Sequence, residues 1–166
     1  MQGYFNVLMV GRYAGEKRQD VLIEAAAKCR HAKDIQVILA GKGPLEKKYR
    51  QMAEKLPNPV VMGFYEPERL LDILHMADLY VHTSDAEIEG MSCTEAFACG
   101  LVPVIAVAPR SATAQFALDE RSLFPRRGQR RAGEAHRLVD RAPRGAAGDR
   151  AKVRRARQAV YPGALY

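Results

Sequence analysis

The first 124 residues alternate between short apolar runs and longer segments, several of which have helical periodicity. The short runs predict strands, because they are rich in Val, Ile and Leu and are bounded by Gly, Pro or polar residues. The predicted strands are residues 6–11, 35–40, 60–62, 79–82, 102–107 and 122–124. The predicted helices are residues 19–29, 45–56, 67–77, 92–98 and 112–118.

This regular alternation predicts an α/β fold. Nearly continuous apolar strands separated by helices are typical of a parallel sheet with helices on both faces. In open sheets of this kind, ligands bind beyond the carboxyl ends of the strands. The candidate functional loops are therefore residues 11–18, 41–44, 63–66, 83–92 and 108–111.

Composition narrows the class of protein further. Apolar residues make up 48% of the chain, which is enough for a packed core. Uninterrupted apolar runs stay far below the length of about 18 residues that a transmembrane helix needs. The first residues also lack the features of a secretory signal. Cys29, Cys93 and Cys99 form no CxxC pair, so we expect no metal site at these residues. We expect the three side chains to be buried and to pack as small apolar groups. The same pattern suits a protein of the reducing cytoplasm.

The net charge of +7 comes entirely from the end of the chain. Residues 1–124 hold 14 basic and 16 acidic side chains, whereas residues 125–166 hold 12 basic and 3 acidic ones. We call residues 125–166 the basic tail. Such a segment is either an arm that binds nucleic acid or an anionic surface, or a segment never selected for this fold. The sequence thus divides into a domain over 1–124 and an irregular, Arg-rich tail.

The loop after the first predicted strand carries two cations. Gly11 allows a ligand to approach the backbone closely, and Arg12 and Lys17 offer a forked and a point-like positive charge. Together they suit a diphosphate, which needs several donors. A solvated surface turn is the alternative interpretation, and spacing alone favours it.

A second candidate site surrounds the predicted helix over residues 92–98. The backbone N–H groups of Met91 and Ser92 would lie at the helix start, which is suited to an anion. Glu95 lies one turn further and can accept hydrogen bonds from vicinal hydroxyls, and Glu87 precedes the helix. In the alternative interpretation Glu87 and Glu89 are an acidic pair that interacts favourably with the positive end of the helix dipole, and Glu95 is a surface residue.

These motifs occur together and in order. They are residues 10–12 with 16–17, the Gly-Lys-Gly-Pro turn at 41–44, residues 63–64, and residues 87–100 followed by 102–105. In this combination, residues 6–124 resemble the C-terminal, nucleotide-sugar-binding half of a GT-B retaining glycosyltransferase of family 4. Residues 111–124 are similar to the subgroup that contains bacterial cholesterol α-glucosyltransferase, which uses UDP-glucose.

The resemblance implies a Rossmann-like domain that binds a nucleotide sugar and belongs to a hexosyltransferase. It implies transfer of glucose from UDP-glucose, with retention, to a lipid or saccharide acceptor, and no cofactor or metal. Glu87 would be the catalytic residue, contacting donor-sugar hydroxyls near the reacting carbon, and Glu95 would bind the ribose. The implied donor-binding residues are Gly11, Arg12, Lys17, Phe64, Tyr65, Glu87, Gly90, Met91, Ser92 and Glu95.

The resemblance also implies an N-terminal acceptor-binding domain that this chain lacks. We therefore expect the chain alone to be inactive, and the whole enzyme to associate peripherally with the inner, cytoplasmic face of a membrane. The resemblance stops after Phe124. When the tail is reverse-translated with permissible GC-rich codons, removal of one nucleotide within the codon of Pro125 gives a readable family-like continuation, so we interpret the basic tail as an out-of-frame segment. Binding of nucleic acid or an anionic surface through that tail is the alternative function, and nucleic acid is the less expected partner.

Overall fold

The computed structural model describes residues 4–101, 103–117 and 120–125. The strands are β1 (Phe5–Val10), β2 (Ile35–Ala40), β3 (Val61–Gly63), β4 (Leu79–His82), β5 (Ala86–Glu87), β6 (Pro103–Val107), β7 (Arg110–Ser111) and β8 (Leu123–Pro125). The α-helices are α1 (Gln19–Lys28), α2 (Glu46–Ala53), α3 (Pro67–Met76) and α4 (Met91–Ala98). Short 3-10 helices span Ala32–Asp34, Ala112–Phe116 and Glu120–Ser122. The basic tail lies outside the described residues except for Pro125.

Six strands form one parallel sheet in the order β3-β2-β1-β4-β6-β8, which confirms the predicted Rossmann-like architecture. The longest pairing joins β1 to β2 in continuous register, from Phe5 opposite Ile35 to Val10 opposite Ala40. The strand order reverses between β1 and β4, so the connections leaving these two strands diverge. Such a switch point leaves a crevice at the carboxyl ends of the strands, where ligands bind in this fold.

The sheet is buried on both faces because neighbouring strand residues point to opposite sides. In β1, Val7 and Met9 belong to one apolar cluster, which also contains residues of α1 and α2. Leu8, between them, belongs to a second cluster with residues of α3 and α4. The central strand is therefore fixed from both sides, and its carboxyl end is a rigid base for the loops that follow it.

The structure differs from the prediction in three places. Strands β5 and β7 form a separate two-stranded parallel sheet that the sequence pattern does not indicate. The predicted helix over residues 112–118 is a 3-10 helix, where the hydroxyls of Ser111 and Thr113 lie 2.7 Å apart and bond locally instead of continuing an α-helix. Cys99 is only partly buried, unlike Cys29 and Cys93, because it caps the C-terminus of α4.

The length and polarity of the helices bear on whether any of them could span a membrane. Within residues 4–101, 103–117 and 120–125, every helix is too short or too polar to cross a bilayer.

Candidate functional site

Two adjoining pockets lie at the carboxyl end of the sheet. The larger, of about 700 Å³, lies between the loops after β1 and β4 and the start of α4. The smaller, of about 620 Å³, lies between the loops after β1, β2 and β3. Both are lined by Val10, Gly11 and Arg12, so they are two compartments of one groove at the switch point of the sheet.

Nine of the ten residues predicted for donor binding line this groove. The larger pocket brings together Gly11, Arg12, Lys17, Glu87, Met91, Ser92 and Glu95. The smaller pocket contains Phe64 and Tyr65 beside the shared Gly11 and Arg12. Only Gly90 lines neither of the two.

Gly90 instead sets the position of α4. It is the N-cap of the helix and has φ +64°, a left-handed conformation that side chains other than glycine rarely adopt. A Cβ atom here would lie 2.6 Å from Cγ2 of Thr113. Gly90 therefore lets α4 begin close to the 3-10 helix, which aims the helix start into the larger pocket.

The backbone of the loop after β1 is anchored by buried side chains, although Arg12, Gly15 and Glu16 are exposed. Tyr13 is buried, and its hydroxyl donates to the carbonyl oxygen of Leu39 at 2.7 Å. The side-chain amide of the buried Gln19 donates to the carbonyl oxygen of Arg12 at 2.9 Å. These bonds hold the backbone of the loop while the side chain of Arg12 remains exposed to the groove.

The loops after β1, β2 and β3 are tied together by their backbones. The N–H of Gly11 donates to Ala40, that of Tyr13 to Lys42, and that of Gly41 to Gly63, at 2.9, 3.0 and 2.7 Å. Main chain thus packs on main chain along the floor of the groove. This close approach continues the sheet beyond its last strand residues and holds the two pockets in a fixed relation.

Lys17 and Glu87 form an ion pair across the larger pocket. Their side chains are 20% and 18% exposed, so the pair is accessible to a ligand yet shielded from much of the solvent. The hydroxyl of Thr83 lies 2.7 Å from the carbonyl oxygen of Lys17 and binds the two loops together below the pair. Two residues expected to bind different parts of a donor are therefore paired with each other.

Arg18, the last residue of the candidate loop 11–18, lines neither pocket but supports the loop from beside Lys17. It is the only residue other than glycine with positive φ in the part of the chain that the structure describes, at +57°. Its guanidinium bonds Asp20 at 3.0 Å and Asp85 at 3.4 Å, and the bond to Asp20 is the main cause that raises the pKa of Arg18. The contacts offset a strained backbone, which costs about 1–3 kcal/mol, and place Lys17 at the mouth of the pocket.

Pairing of β5 with β7 adds a third cation to the larger pocket. Ala86 lies opposite Arg110, and Glu87 lies opposite Ser111. The side chain of Arg110 is exposed and lines the pocket together with Arg12 and Lys17. Arg110 lies in the loop 108–111, which the sequence predicts to be functional. That position was the one feature of the sequence from which this residue could have been placed in the site.

The smaller pocket has an aromatic wall. Phe64 is 58% exposed, which is unusual for so large an apolar side chain. The ammonium nitrogen of Lys42 lies 4.2 Å from the centroid of its ring, a cation–π contact that holds both side chains at the rim. A flat apolar surface beside backbone groups is suited to a planar ring of a ligand.

His82 lies beneath the ion pair, at the end of β4, and is fully buried. Burial lowers the pKa of His82 to about 4, and the carboxylate of Glu87 offsets only part of that effect. The imidazole is therefore neutral at pH 7. His82 has no metal-site or triad spacing to another residue, so the sequence alone gave no reason to place it in the site.

We predict that His82 makes the fold sensitive to acid. Because the unfolded imidazole has a pKa of about 6.5, the unfolded chain binds more protons than the folded chain between pH 6.5 and pH 4, and stability falls as pH falls. Between pH 7.5 and pH 5 the loss due to His82 is about 2 kcal/mol. Urea unfolding of the wild type and of His82→Phe at both pH values measures it, and equal pH dependence of the two proteins would contradict the prediction.

The family of the chain follows from comparison with known proteins. Residues 2–132 match the family described as "Glycosyl transferases group 1". The chain belongs to this glycosyltransferase family, in agreement with its GT-B-like fold and the groove at the carboxyl ends of its strands. Across the described ranges, His, Cys, Asp and Glu form no group that could hold a metal ion.

The chain is also similar to particular glycosyltransferases. It is 40% identical, with a TM-score of 0.81, to the catalytic domain of cholesterol-α-glucosyltransferase from Helicobacter pylori, covering 93% of this chain and 97% of that structure. It is 32% identical over 59% of its length to the phosphatidylinositol N-acetylglucosaminyltransferase GPI3 subunit of Saccharomyces cerevisiae. It is 30% identical over 57% of its length to a GDP-mannose-dependent α-(1-6)-phosphatidylinositol dimannoside mannosyltransferase of Mycobacterium tuberculosis. The chain spans about a quarter of these two curated relatives, 23% and 25%.

Proposed function

We propose that this chain is the donor-binding domain of a retaining hexosyltransferase that takes its sugar from a nucleoside diphosphate, with UDP-glucose as the expected donor. The observation that carries the proposal is the larger pocket, where three basic side chains, the start of α4 and four carboxylates surround one cavity. Cations and helix N–H groups suit a diphosphate, and carboxylates suit sugar hydroxyls. Few other ligand classes present both chemistries side by side.

In this proposal each compartment of the groove binds one part of the donor. Arg12 and Lys17, with the backbone of Gly11, bind the diphosphate together with the N–H groups at the start of α4. Glu95, in the second turn of α4, accepts hydrogen bonds from the ribose hydroxyls. The base lies in the smaller pocket against Phe64 and Tyr65. This pocket adjoins the larger one at the shared residues Gly11 and Arg12.

Glu87 is the proposed catalytic residue on the sugar side. It would accept hydrogen bonds from donor-sugar hydroxyls next to the reacting carbon. As the bond from that carbon to the diphosphate breaks, the diphosphate leaves with the electron pair and gains negative charge. Arg12, Lys17 and the helix start would stabilise that charge. The acceptor hydroxyl forms the new bond at the same carbon and gives its proton to the leaving phosphate oxygen.

The acceptor is proposed to be a lipid. The three relatives named above are described as acting on cholesterol or phosphatidylinositol compounds. Because the two curated relatives are about four times as long as the matched segment, the acceptor would be bound by a further domain facing the groove. That domain would hold the whole enzyme at the cytoplasmic face of a membrane, and we propose that the chain alone binds donor without transferring sugar.

Nucleotide titration tests the proposal. We expect UDP and UDP-glucose to shift the amide NMR signals of Gly11, Arg12, Met91 and Ser92 at millimolar or lower concentration. GDP-mannose in parallel shows which base the smaller pocket prefers. Arg12→Ala should weaken UDP binding about 10-fold, because it removes a charge-assisted contact.

The matched control is Arg50→Ala, since Arg50 is an exposed arginine on α2 whose partner is Glu46. It should leave the affinity for UDP unchanged. Absence of any response to millimolar UDP, UDP-glucose and GDP-mannose would refute the proposed function. Transfer of glucose to cholesterol-containing vesicles by the purified chain would refute its expected inactivity.

A further inference from the structure

His82 faces the proposed catalytic carboxylate from below. Its Nε2 atom lies 3.7 Å from Oε2 of Glu87, and this nitrogen makes no hydrogen bond to the described residues. A fully buried polar atom without a partner is rare in proteins, because its desolvation is uncompensated. The Glu87 carboxylate near this nitrogen is also paired with Lys17.

The hydroxyl of Tyr80 is the neighbour of the other ring nitrogen of His82. The hydroxyl of Tyr80 lies 3.4 Å from Nδ1 of His82. Burial raises the pKa of Tyr80 well above its usual value, so the hydroxyl keeps its proton, and it donates to Nδ1 or accepts from an Nδ1–H according to the tautomer of the ring. Since the buried imidazole is neutral, a ring that accepts at Nδ1 carries its one proton at Nε2. This tautomer suits the site, because in the other one a lone pair on Nε2 would face the carboxylate oxygen of Glu87.

We propose that His82 is a positioning residue for Glu87, and that its Nε2–H becomes the hydrogen-bond partner of this carboxylate when Lys17 turns to a bound diphosphate. This inference rests on the proposed function, since it assumes that Lys17 binds the diphosphate and Glu87 the sugar.

The geometry gives the reason for such a second partner. A carboxylate that is 18% exposed loses much of its stabilisation when its ammonium partner leaves. An approach of about 0.7 Å brings Nε2 of His82 within hydrogen-bond distance of Glu87. One carboxylate oxygen is then held by His82, and the other is free to accept from a sugar hydroxyl. We therefore expect His82 to affect the binding of the sugar part of the donor and not the binding of the nucleotide part.

The contact itself can be tested without any ligand. Long-range ¹H–¹⁵N spectra of the full chain should show a neutral His82 ring at pH 7, protonated at Nε2 and unprotonated at Nδ1. Glu87→Gln should shift the Nε2–H resonance. A proton on Nδ1, or a ring that titrates near pH 6.5, would overturn the proposal whether or not nucleotides bind.

The function of the contact is tested by comparing two affinities, those for UDP-glucose and for UDP. We expect His82→Phe to lower the preference for UDP-glucose over UDP about 10-fold and to leave UDP binding within twofold of the wild type. His82→Gln, which keeps a donor in a similar place, should retain most of the preference. Equal weakening of both ligands, or an unchanged preference, would contradict a positioning role. If the wild type itself prefers GDP-mannose, the same comparison is made with GDP-mannose and GDP.

Tyr80→Phe provides a variant in which His82 is still present. Without the hydroxyl, Nδ1 loses its donor and the proton is free to occupy that nitrogen, so the carboxylate would face a lone pair. The preference for the sugar nucleotide should then fall as it does in His82→Phe. A wild type that binds none of the nucleotides refutes the proposed function, and the NMR measurement still decides whether His82 donates to Glu87.

Discussion

Gly41→Ala should lower the free energy of unfolding by about 3 kcal/mol or more, because the new methyl group has no room. A Cβ atom on Gly41 would overlap the carbonyl oxygen of Gly11 and lie 2.9 Å from its carbonyl carbon. These are main-chain atoms at the end of β1 and cannot rotate away as a side chain could. Relief would require the loops after β1 and β2 to separate, which would break the bonds that tie them together along the floor of the groove.

The matched control is Gly15→Ala in the same stretch of chain. A Cβ on Gly15 would have no atom within 4 Å, and the backbone there is not in the left-handed region. This variant should match the wild type within about 1 kcal/mol, with any change toward higher stability. Denaturant unfolding of the two variants and the wild type measures the difference. Equal stability of Gly41→Ala and Gly15→Ala would show that the two loops do not pack as described.

The main sheet could be predicted from sequence because burial on both faces leaves a simple pattern. Strands β2 and β4 begin and end where the apolar runs predict, since every residue in them is buried. Strands β5 and β7 could not be predicted. Each has two residues, Ala86–Glu87 and Arg110–Ser111, with no apolar pattern, and they form only because the surrounding fold places the segments side by side.

For the candidate site, the sequence predicted most of the lining residues but not the contacts that support them. Most of its residues came from the resemblance of motifs to a family, and the structure places them along one groove. What the motifs could not give is the support beneath them. Arg18 acts through a contact with Asp85, which is 67 residues away, and His82 lies close to Glu87, five residues further on, only because of the folded path of the chain after β4.

The Lys17–Glu87 ion pair affects how strongly a diphosphate can bind in the larger pocket. A diphosphate must compete with the Glu87 carboxylate for the Lys17 ammonium, because the two side chains are already paired. Part of the energy gained from the new contact is therefore lost in breaking the old one. Removing either partner should change affinity for UDP, and the two changes should have opposite signs.

Lys17→Met should weaken UDP binding by about 30- to 100-fold, and Glu87→Gln should strengthen it a few-fold. The loss of Lys17 removes a charge-assisted contact worth about 1.5–3 kcal/mol and leaves an unpaired carboxylate that repels the diphosphate. The loss of the Glu87 charge frees the ammonium, and a partly exposed pair of this kind is worth about 1 kcal/mol or less. Calorimetric titration of the full chain with UDP measures both changes.

Two further variants separate the pair from general charge effects. Lys28→Met removes an exposed lysine at the other end of α1 and should leave UDP affinity unchanged. The double variant Lys17→Met, Glu87→Gln should bind UDP more tightly than Lys17→Met alone, because the repelling carboxylate is gone. If Glu87→Gln weakened UDP binding instead, the carboxylate would not compete for Lys17, and the ion pair would be part of the bound state. Glu87→Gln should also lose preference for UDP-glucose over UDP, which ties the same carboxylate to the sugar.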